Sequence, residues 1–479
     1  MRTLIRASHI IAYQDGEHRH LRDGVIVVDG NEIIHVGKTF DGTVDTELDA
    51  TGMVVTPGFI NTHAHLYESP LDKSFVEDKG PRQFYGSGLF EYLPARSAAS
   101  DESTARACID FSMAELIRSG TTTVMEIGSY GDYVAEKAAE AGLRAYIGQG
   151  YRDGRWFTRD GKRAEWEWDF EAGQAAFQRA IEFIDRIEGK ANDRIRGFLT
   201  PMQVDTCSEE LLRQSRRQAT EMGVPLALHA SQSVVEFIEM TRRHGLTPIE
   251  WLQEIGFLGP DVILGHAIII GGGTWANYPA DDIGILADTG TNVAHAVWVF
   301  ARRGIAMESF SRYQDRGVNM TLATDTSPQS MLEALRWAAV VSKIMDRSTE
   351  LATAADVFDA ATLGGAKALG RDDLGRIAPG AKADMLFWAG QSLWMTPLRD
   401  PVRNIVYNAE AEDIRHVMID GELVMRDHRL ITIDEDSVVA GLQEAGERMW
   451  ARLPEGDWNN RTVDELSPNA YKPFEGLAI

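Results

Sequence analysis

The sequence predicts an α/β protein, a TIM (β/α)8 barrel joined to a small composite β-sandwich domain built from both termini. Short apolar runs alternate with amphipathic helical patterns from Gly58 to about Leu369, as expected of β/α units on a parallel sheet. Eight of these runs have strand character, which is the number in a TIM barrel. Hairpin patterns lie on both sides of the alternating region, which predicts the second, smaller domain.

Both ends of the chain contain paired β runs. Gly24–Gly37 and Val417–Val424 each place two apolar runs around an Asp-Gly pair, which is a strong hairpin signal. Because these hairpins lie at opposite ends of the sequence, we expect residues 1–57 and 370–436 to form one β-domain together. Residues 437–479 begin as a helix and end in a tail, which indicates packing or a subunit contact.

Residues 58–369 are expected to form the barrel. Its first helix is predicted by Ile109, Met113, Leu116 and Ile117, which recur at helical spacing. The predicted strands are Phe59–His65, Thr121–Ile127, Leu143–Gln149, Ile195–Thr200, Pro225–His229, Val262–His266, Asn292–His295 and Val318–Thr324. A doubly wound sheet would need a glycine-rich phosphate turn after its first strand, and this chain has His-Ala-His-Leu-Tyr-Glu there.

Composition excludes several classes of partner. The chain has 48 basic and 72 acidic residues, a formal charge of −24, which repels nucleic acid and anionic lipid. No apolar run approaches the roughly 20 residues of a membrane span, and the first residues break too early for a signal peptide, so we expect a cytoplasmic protein. Its two cysteines have no metal or redox spacing. A metal would therefore be held by His, Asp or Glu.

Two histidines one residue apart end the first predicted strand. His63 and His65 follow the apolar run Val54–Ile60, and alternate residues of a strand point to the same face, so both imidazoles can bind one ion. A chance pair on an exposed strand is the alternative. His229, His266 and His295 also lie at strand ends. Strand ends converge at the catalytic face of a TIM barrel, which favours a metal site.

Several motifs together resemble the amidohydrolase superfamily, and within it the cytosine deaminase and triazine hydrolase branch. They are Pro57–His65, Ser119–Thr123, Leu228-His229, Gly265-His266, Ala323–Asp325 and Gly375–Asp384. The resemblance covers nearly the whole chain. Each motif alone is weak, and the set is specific.

The resemblance implies a ligand set and two catalytic roles. His63, His65, His229 and Asp325 would bind one divalent ion, for which zinc is preferred and iron, manganese or cobalt are alternatives. Asp325 would take a proton from water and His266 would stabilise the developing negative oxygen. A helix cap before Ser327-Pro328 is the alternative role for Asp325.

A single ion is expected. The family's two-metal members bridge their ions with a lysine or carboxylate at the end of a middle strand. The third and fourth predicted strands contain no lysine. Glu126, at the end of the second strand, leaves a two-metal site open.

The chain departs from the family's deaminases after the fifth strand. They usually have a glutamate three residues after the strand-five histidine, where it protonates a ring nitrogen, and here that residue is Gln232. The fourth strand also departs, because Pro201-Met202 stands where a Pro-His pair is common. Glutamine cannot transfer that proton.

Two interpretations of this departure remain. The preferred one is hydrolysis of a C–N or C–S bond at the carbonyl carbon of a urea, carbamate, thiocarbamate or amide, similar to molinate and phenylurea hydrolases, which Pro70–Asp78 also resembles. The other is deamination or dechlorination of an N-heterocycle such as a pyrimidine, purine or triazine, with Glu236 or His295 as the acid. A non-catalytic scaffold is a third alternative, which retention of the five ligand and catalytic residues argues against.

Aromatic residues predict an apolar pocket for an aryl or cyclic group of a small-molecule substrate. Tyr67, Phe84, Tyr85, Phe90 and Tyr92 lie in the first loop, Trp156, Phe157, Trp166 and Trp168 in the third, and Trp298 and Phe300 follow His295. The substrate-binding candidates are Gln232, His295, Tyr85 and Trp298. Some of these rings would instead cover loops or form a subunit interface, and we expect a homo-oligomer.

Overall fold

The computed structural model describes residues 1–75 and 80–474 of the chain. Its strands are β1 (Arg2–Gln14), β2 (Glu17–Asp29), β3 (Glu32–Gly37), β4 (Thr46–Pro57), β5 (Phe59–Ala64), β6 (Thr121–Gly128), β7 (Arg144–Gln149), β8 (Gly154–Phe157), β9 (Glu165–Trp168), β10 (Ile195–Gly197), β11 (Leu226–Ala230), β12 (Val262–His266), β13 (Asn292–His295), β14 (Met320–Leu322), β15 (Met385–Ala389), β16 (Ile414–Ile419), β17 (Glu422–Arg426) and β18 (Arg429–Leu430). The last three residues of the Pro70–Asp78 segment, and the last five of the tail, lie outside the described residues.

The helices alternate with the barrel strands and then continue to the C-terminal region. They are α1 (Tyr92–Ala99), α2 (Glu102–Arg118), α3 (Gly131–Ala141), α4 (Phe170–Ile187), α5 (Lys190–Asp193), α6 (Glu209–Met222), α7 (Val234–His244), α8 (Pro248–Glu254), α9 (Asp282–Thr289), α10 (Val297–Ala301), α11 (Phe310–Asp315), α12 (Met331–Asp346), α13 (Ala354–Asp359), α14 (Gly365–Ala368), α15 (Pro401–Tyr407), α16 (Glu435–Gly456) and α17 (Val463–Leu466). Short 3-10 helices cover Ser69–Ser74, Arg82–Phe84 and Ala411–Asp413, and a π-helical turn covers Ala360–Gly364. Within the described ranges, no helix has the length and apolar character needed to cross a bilayer.

Eight parallel strands form the barrel, as predicted. Two four-stranded sheets, β10-β7-β6-β5 and β11-β12-β13-β14, make up its wall. Isolated parallel bridges close the ring, from Ala64 to Asp325 on one side and from Leu199 to Leu226 and Gln203 to His229 on the other. Each predicted strand run overlaps one observed strand, so the fold class is confirmed.

Two strands are shorter than predicted by more than one residue. β10 ends at Gly197 rather than Thr200, and β14 covers only Met320–Leu322 of the predicted Val318–Thr324. After β14 the backbone turns sharply, and Asp325 has a positive φ of 62°. Regular pairing ends there because the chain leaves the sheet at the catalytic face.

The first barrel helix forms where its apolar spacing predicts. Asp101 caps the N-terminus of α2 by accepting from the Thr104 N–H at 2.9 Å. Ile109, Met113 and Leu116 are buried in the main core, as the helical spacing requires. This face packs α2 against the barrel wall.

Both termini contribute to one eight-stranded sheet with the order β18-β17-β16-β15-β4-β1-β2-β3. Both predicted hairpins are present, as β2–β3 and β16–β17. The sheet has its own apolar core, which includes Ile5, Ile26, Val55 and Phe387. We retain the predicted division into residues 1–57 with 370–436, 58–369 and 437–479 as a proposal.

Candidate metal centre

The first barrel strand delivers two imidazoles to the C-terminal face. His63 lies near the end of β5 and His65 directly follows it, with their ring centroids 5.1 Å apart. The strand β12 passes very close to the first ring, and a Cβ at Gly265 would lie 2.7 Å from His63 Cε1. Glycine at this position therefore leaves the space that the His63 ring occupies beside β12.

Four histidines and one aspartate converge at this end of the barrel. Ligand atoms of His63, His229 and His266 lie within 4.8 Å of one another, as do those of His63, His65 and Asp325. Asp325 Oδ1 is 3.4 Å from His65 Nε2 and 3.7 Å from His63 Nε2. The structure thus brings together all four predicted metal ligands and His266.

Backbone carbonyls fix the orientation of two of these rings. His65 Nδ1 lies 2.7 Å from the Ile127 carbonyl oxygen, and His229 Nδ1 lies 2.5 Å from that of Met202. If both Nδ1 atoms donate, both Nε2 atoms present lone pairs, and these two nitrogens are only 3.0 Å apart. Such a contact is repulsive without a positive charge, so this donor set fits a cation.

The His63 imidazole supports the same conclusion. Its Nε2 atom is buried without a hydrogen-bond partner among the described residues, although buried polar groups are normally satisfied. Burial and the neighbouring imidazoles lower the pKa of His63 well below its ordinary value. The same causes lower the pKa of His229 to about 3. These rings are neutral at physiological pH, which is the form that binds a metal ion.

Asp325 does not cap the next helix, so that alternative is wrong. Ser330 caps α12 through the Glu333 N–H. The backbone of Asp325 instead pairs with the first strand. Its N–H donates to the His63 carbonyl at 2.9 Å, and its carbonyl oxygen accepts from the His65 N–H at 2.8 Å. Burial raises the pKa of its carboxyl group. A carboxylate with a raised pKa is a stronger base than an exposed one.

The other two histidines lie on neighbouring strands. His266 contacts Phe300, with ring centroids 4.8 Å apart, and His295 contacts Phe310 at 5.8 Å. In the described part of the chain, the Nδ1 atoms of both histidines are buried without a partner. Burial lowers the pKa of His295 to about 4. His295 is therefore neutral near pH 7 and is a poor source of a proton.

The predicted substrate-binding residues occupy different environments. Gln232 Nε2 and Trp298 Nε1 are buried donors for which the described residues offer no acceptor. Trp298 packs on Trp337, with ring centroids 5.1 Å apart. Tyr85 is 55% exposed. Gln232, His295 and Trp298 each have an unused hydrogen-bonding atom, whereas Tyr85 is placed on the surface of the first loop.

The aromatic loops divide into two groups. Phe84, Phe90 and Trp156 form one apolar cluster, against which Trp166 and Val235 pack. Tyr92 belongs to another cluster, with Met449 and Leu453 of α16. The first and third loops thus meet beside the start of α7, while Tyr92 faces the C-terminal helix.

Three polar residues that hold the centre were not predicted. Asn61 Oδ1 accepts from the N–H groups of His63 and Thr324, at 3.3 and 3.2 Å. Gln329 Nε2 donates to the His65 carbonyl at 3.2 Å. Asn61 and Thr324 lie inside motifs that the sequence displays, but their pairing across 263 residues depends on barrel closure.

Glu126 is buried but lies outside the metal-binding groups. Among the described residues it belongs to neither set of ligand atoms within 4.8 Å. Neither of its carboxyl oxygens has a hydrogen-bond partner there. The geometry therefore favours one ion over two.

A family model and several curated proteins match this chain over most of its length. The Amidohydrolase family model matches residues 54–424. A 5′-deoxyadenosine deaminase of Methanothermobacter thermautotrophicus is 32% identical over 433 residues, 88% of this chain and 93% of the relative. A 5-methylthioadenosine/S-adenosylhomocysteine deaminase of Thermococcus kodakarensis is 31% identical over 431 residues, 89% and 94% of the two chains.

Solved structures show the same fold. An adenosine deaminase from Xanthomonas campestris with bound zinc has a TM-score of 0.80 at 23% identity, covering 93% of this chain and 98% of that one. An atrazine chlorohydrolase from Arthrobacter aurescens, complexed with zinc, has a TM-score of 0.79 at 24% identity, covering 93% and 100%. The match covers both the barrel and the β-domain described above.

Proposed function

This chain belongs to the amidohydrolase family and is a metal-dependent hydrolase of C–N bonds, and from that premise we propose that it deaminates an adenine nucleoside. The preferred substrate class is an adenosine derivative that lacks the 5′ hydroxyl group. The similarity to two such deaminases, over nine-tenths of their length, carries the proposal. Deamination of an N-heterocycle is thus preferred here to hydrolysis at the carbonyl carbon of a urea or carbamate, which the sequence alone favours.

The proposed ligands are His63, His65, His229 and Asp325, and the preferred ion is zinc. Three neutral imidazoles and a carboxylate suit that ion, with iron, manganese and cobalt as alternatives. Lewis acidity supplied by the ion makes water a nucleophile near neutral pH.

Asp325 and His266 provide the proposed proton transfer and charge stabilisation. Asp325 accepts a proton as water attacks the ring carbon that bears the amino group. His266 stabilises the negative charge that develops on the water oxygen as its proton passes to Asp325. The electron pair of the ring C=N bond moves to the ring nitrogen during this attack and returns to reform the ring double bond as the amino group leaves. Asp325 gives its proton to the amino group, which departs as ammonia. The hydroxypurine so formed then passes its hydroxyl proton to the ring nitrogen to give the inosine.

Gln232 is proposed to orient the ring. Its Nε2 atom is a buried donor without a partner in the described structure, and a ring nitrogen is an acceptor. A glutamine donates a hydrogen bond there without transferring a proton. Gln232→Ala should therefore lower kcat/KM tenfold or more, and unchanged kinetics on the true substrate would exclude this role.

The assignment is tested with the zinc-loaded full chain and a mass-spectrometric panel. One arm contains 5′-deoxyadenosine, 5′-methylthioadenosine, adenosine, and amino- and chloro-triazines. The other contains N-aryl ureas, carbamates and thiocarbamates. We expect metal-dependent conversion of the 5′-modified adenosines to the corresponding inosines. Turnover confined to the second arm would overturn the proposal.

Carbonyl hydrolysis remains the second candidate because one observation favours it. A urea or thiocarbamate, as in the molinate and phenylurea hydrolases, needs no ring protonation, and Gln232 supplies none. If the second arm alone reacts, Gln232 would instead bind the substrate carbonyl.

A further inference from the structure

The hairpin β8–β9 follows the third barrel strand, and the carboxylate of Asp205 holds two of its aromatic side chains. Trp156 of β8 and Trp166 of β9 lie directly opposite each other in the hairpin. Both indole N–H groups donate to Asp205 Oδ2, at 2.7 and 3.1 Å. Asp205 is completely buried. A single side-chain oxygen therefore holds both strands of the hairpin.

Arg243 of α7 supports the same contact from the side. Its Nη1 donates to the Asp205 carbonyl oxygen at 2.8 Å. The guanidinium lies 5.1 Å from the centroid of the Trp166 ring, and its Nε is 2.7 Å from Glu239 Oε1. Helix α7, the hairpin and Asp205 thus form one packed unit.

A second buried carboxyl group holds the turn that carries Gln232. Glu236 Oε1 accepts from the Ser231 N–H at 2.5 Å, and Oε2 accepts from the Gln232 N–H at 3.1 Å. Ser231 has a positive φ of 56°, a conformation that non-glycine residues adopt only when their surroundings enforce it. The Glu236 carboxyl group holds Ser231 in this conformation, at the first residue after β11.

The two carboxyl groups influence each other. Burial raises the pKa of Glu236 well above its usual range, and the charge of Asp205 raises it further. Burial raises the pKa of Asp205 to about 6, against the opposing effect of the two indole N–H groups. Asp205 Oδ1 has no donor among the other described residues. The geometry links the two residues through α7, because Arg243 on the same helix as Glu236 donates to the Asp205 carbonyl oxygen.

We propose that Asp205 and Glu236 are paired positioning residues that join the aromatic hairpin to the Ser231–Gln232 turn. The hairpin side consists of Trp156 and Trp166 in the cluster with Phe84 and Phe90. Val235, between Glu236 and the turn, packs on the same cluster. The pair therefore fixes Gln232 relative to an aromatic wall. The role of Gln232 toward a ring rests on the proposed deamination, whereas the coupling of hairpin and turn does not.

Hydrogen-exchange mass spectrometry of the metal-loaded full chain tests the coupling without a substrate. Asp205→Asn removes the charge at constant size, and Trp156→Phe removes one indole N–H but keeps an aromatic ring. Both should raise amide exchange tenfold or more in the hairpin and also in residues 230–233. Glu236→Gln perturbs the Ser231–Gln232 turn directly, and it should also raise exchange in the hairpin.

The matched control is Glu250→Gln. Glu250 also accepts a backbone N–H, from Thr247 at 2.8 Å, but it caps α8 and touches neither segment. It should leave exchange in both unchanged. Effects of Asp205→Asn and Trp156→Phe confined to the hairpin, or of Glu236→Gln confined to the turn, would overturn the coupling.

A double-mutant cycle tests the link to turnover. Glu236→Gln should lower kcat/KM tenfold or more in the parent chain, yet by less than twofold when Gln232 is already alanine. Metal content should be unchanged in all four proteins. Multiplicative losses would show that Glu236 does not act through Gln232. If no tested substrate turns over, the proposed function fails, while the exchange result still decides the coupling.

Discussion

Glu126 and His63 are both buried polar residues with atoms that lack partners among the described residues, and their surroundings give them opposite roles. His63 Nε2 faces Asp325 and other imidazoles, so a cation would satisfy it. Among the described residues Glu126 belongs to no such group of ligand atoms, and burial raises its pKa to about 8. A neutral, protonated acid is the stable form there.

Protonation of Glu126 predicts a pH dependence of stability. The folded pKa of about 8 exceeds the ordinary value of 4.5, so the stabilising contribution is complete below pH 4.5 and is lost as pH rises through 8. The free energy of unfolding should fall by up to about 1.4 kcal/mol per pH unit in between. Glu126→Gln should reduce this slope in urea unfolding between pH 6 and 9.

The control for that experiment is Glu136→Gln, an exposed carboxyl group on α3, which should keep the parent slope. If Glu126→Gln also keeps it, Glu126 is ionised in the folded protein.

Removal of one imidazole should abolish metal binding. His229→Ala leaves His65 and His63 without the ring that lies 3.0 Å from His65 Nε2, and we expect the metal content by mass spectrometry to fall from about one ion per chain to below a tenth. Turnover should disappear with it. His244→Ala, an exposed histidine on α7, should retain both. A His229→Ala protein that keeps full metal content would refute the ligand assignment.

Single residues were predictable where chemistry and position coincide. His63, His65, His229, His266 and Asp325 lie at strand ends, and the structure brings them together. Asp205 could not be found in this way, because its partners are indoles 39 and 49 positions away. Nothing in the local sequence distinguishes such a carboxylate from a surface one.

At the scale of elements, β7 is tied to the composite sheet by a buried ion cluster. Arg144 begins β7 and is 1% exposed. Its guanidinium donates to Asp384, before β15, at 3.0 Å and to Asp420, in the β16–β17 turn, at 3.0 Å. The Asp420 N–H donates to Asp384 at 2.7 Å. This cluster fixes the barrel to the β-domain.

Arg144→Ala would leave two buried carboxylates uncompensated. We expect the free energy of unfolding to fall by about 3–5 kcal/mol in urea titrations. Arg196→Ala, which removes a half-exposed pair with Asp193 at 2.6 Å, should cost less than about 1 kcal/mol. Equal, small losses in the two variants would mean that the buried cluster does not join the domains energetically.

Element type was predictable and element ends were not. Apolar runs and helical spacing identify all eight barrel strands and α2. Hydrogen bonds between strands decide where pairing stops, and for β10 and β14 it stops before the apolar run ends. The sequence predicts an aromatic loop where the structure has the hairpin β8–β9. Trp156 and Trp166 are paired in that hairpin, but several residues separate the two strands and give no tight-turn signal.

At the scale of the whole molecule, the metal ion should stabilise the folded chain. Ligand binding to the native state alone adds RT ln(1 + [L]/Kd), which is about 4 kcal/mol at a thousandfold excess over Kd. Treatment with a chelator should lower Tm by several degrees, and added zinc should restore it. The His229→Ala protein should respond to neither. A chelator-insensitive Tm in the parent would argue against a tightly bound ion.

The bridge between Ala64 and Asp325 means that the metal centre can form only after the eighth barrel strand has been synthesised. The first strand supplies His63 and His65, and the carboxylate arrives only after β14, more than 250 residues later. A nascent chain that ends before β14 has every histidine of the cluster but no eighth strand to close the ring. High-affinity metal binding should therefore begin late in translation, when β14 pairs with β5 and closes the barrel. The ion would then join the first and last barrel strands, which are the furthest apart in the sequence.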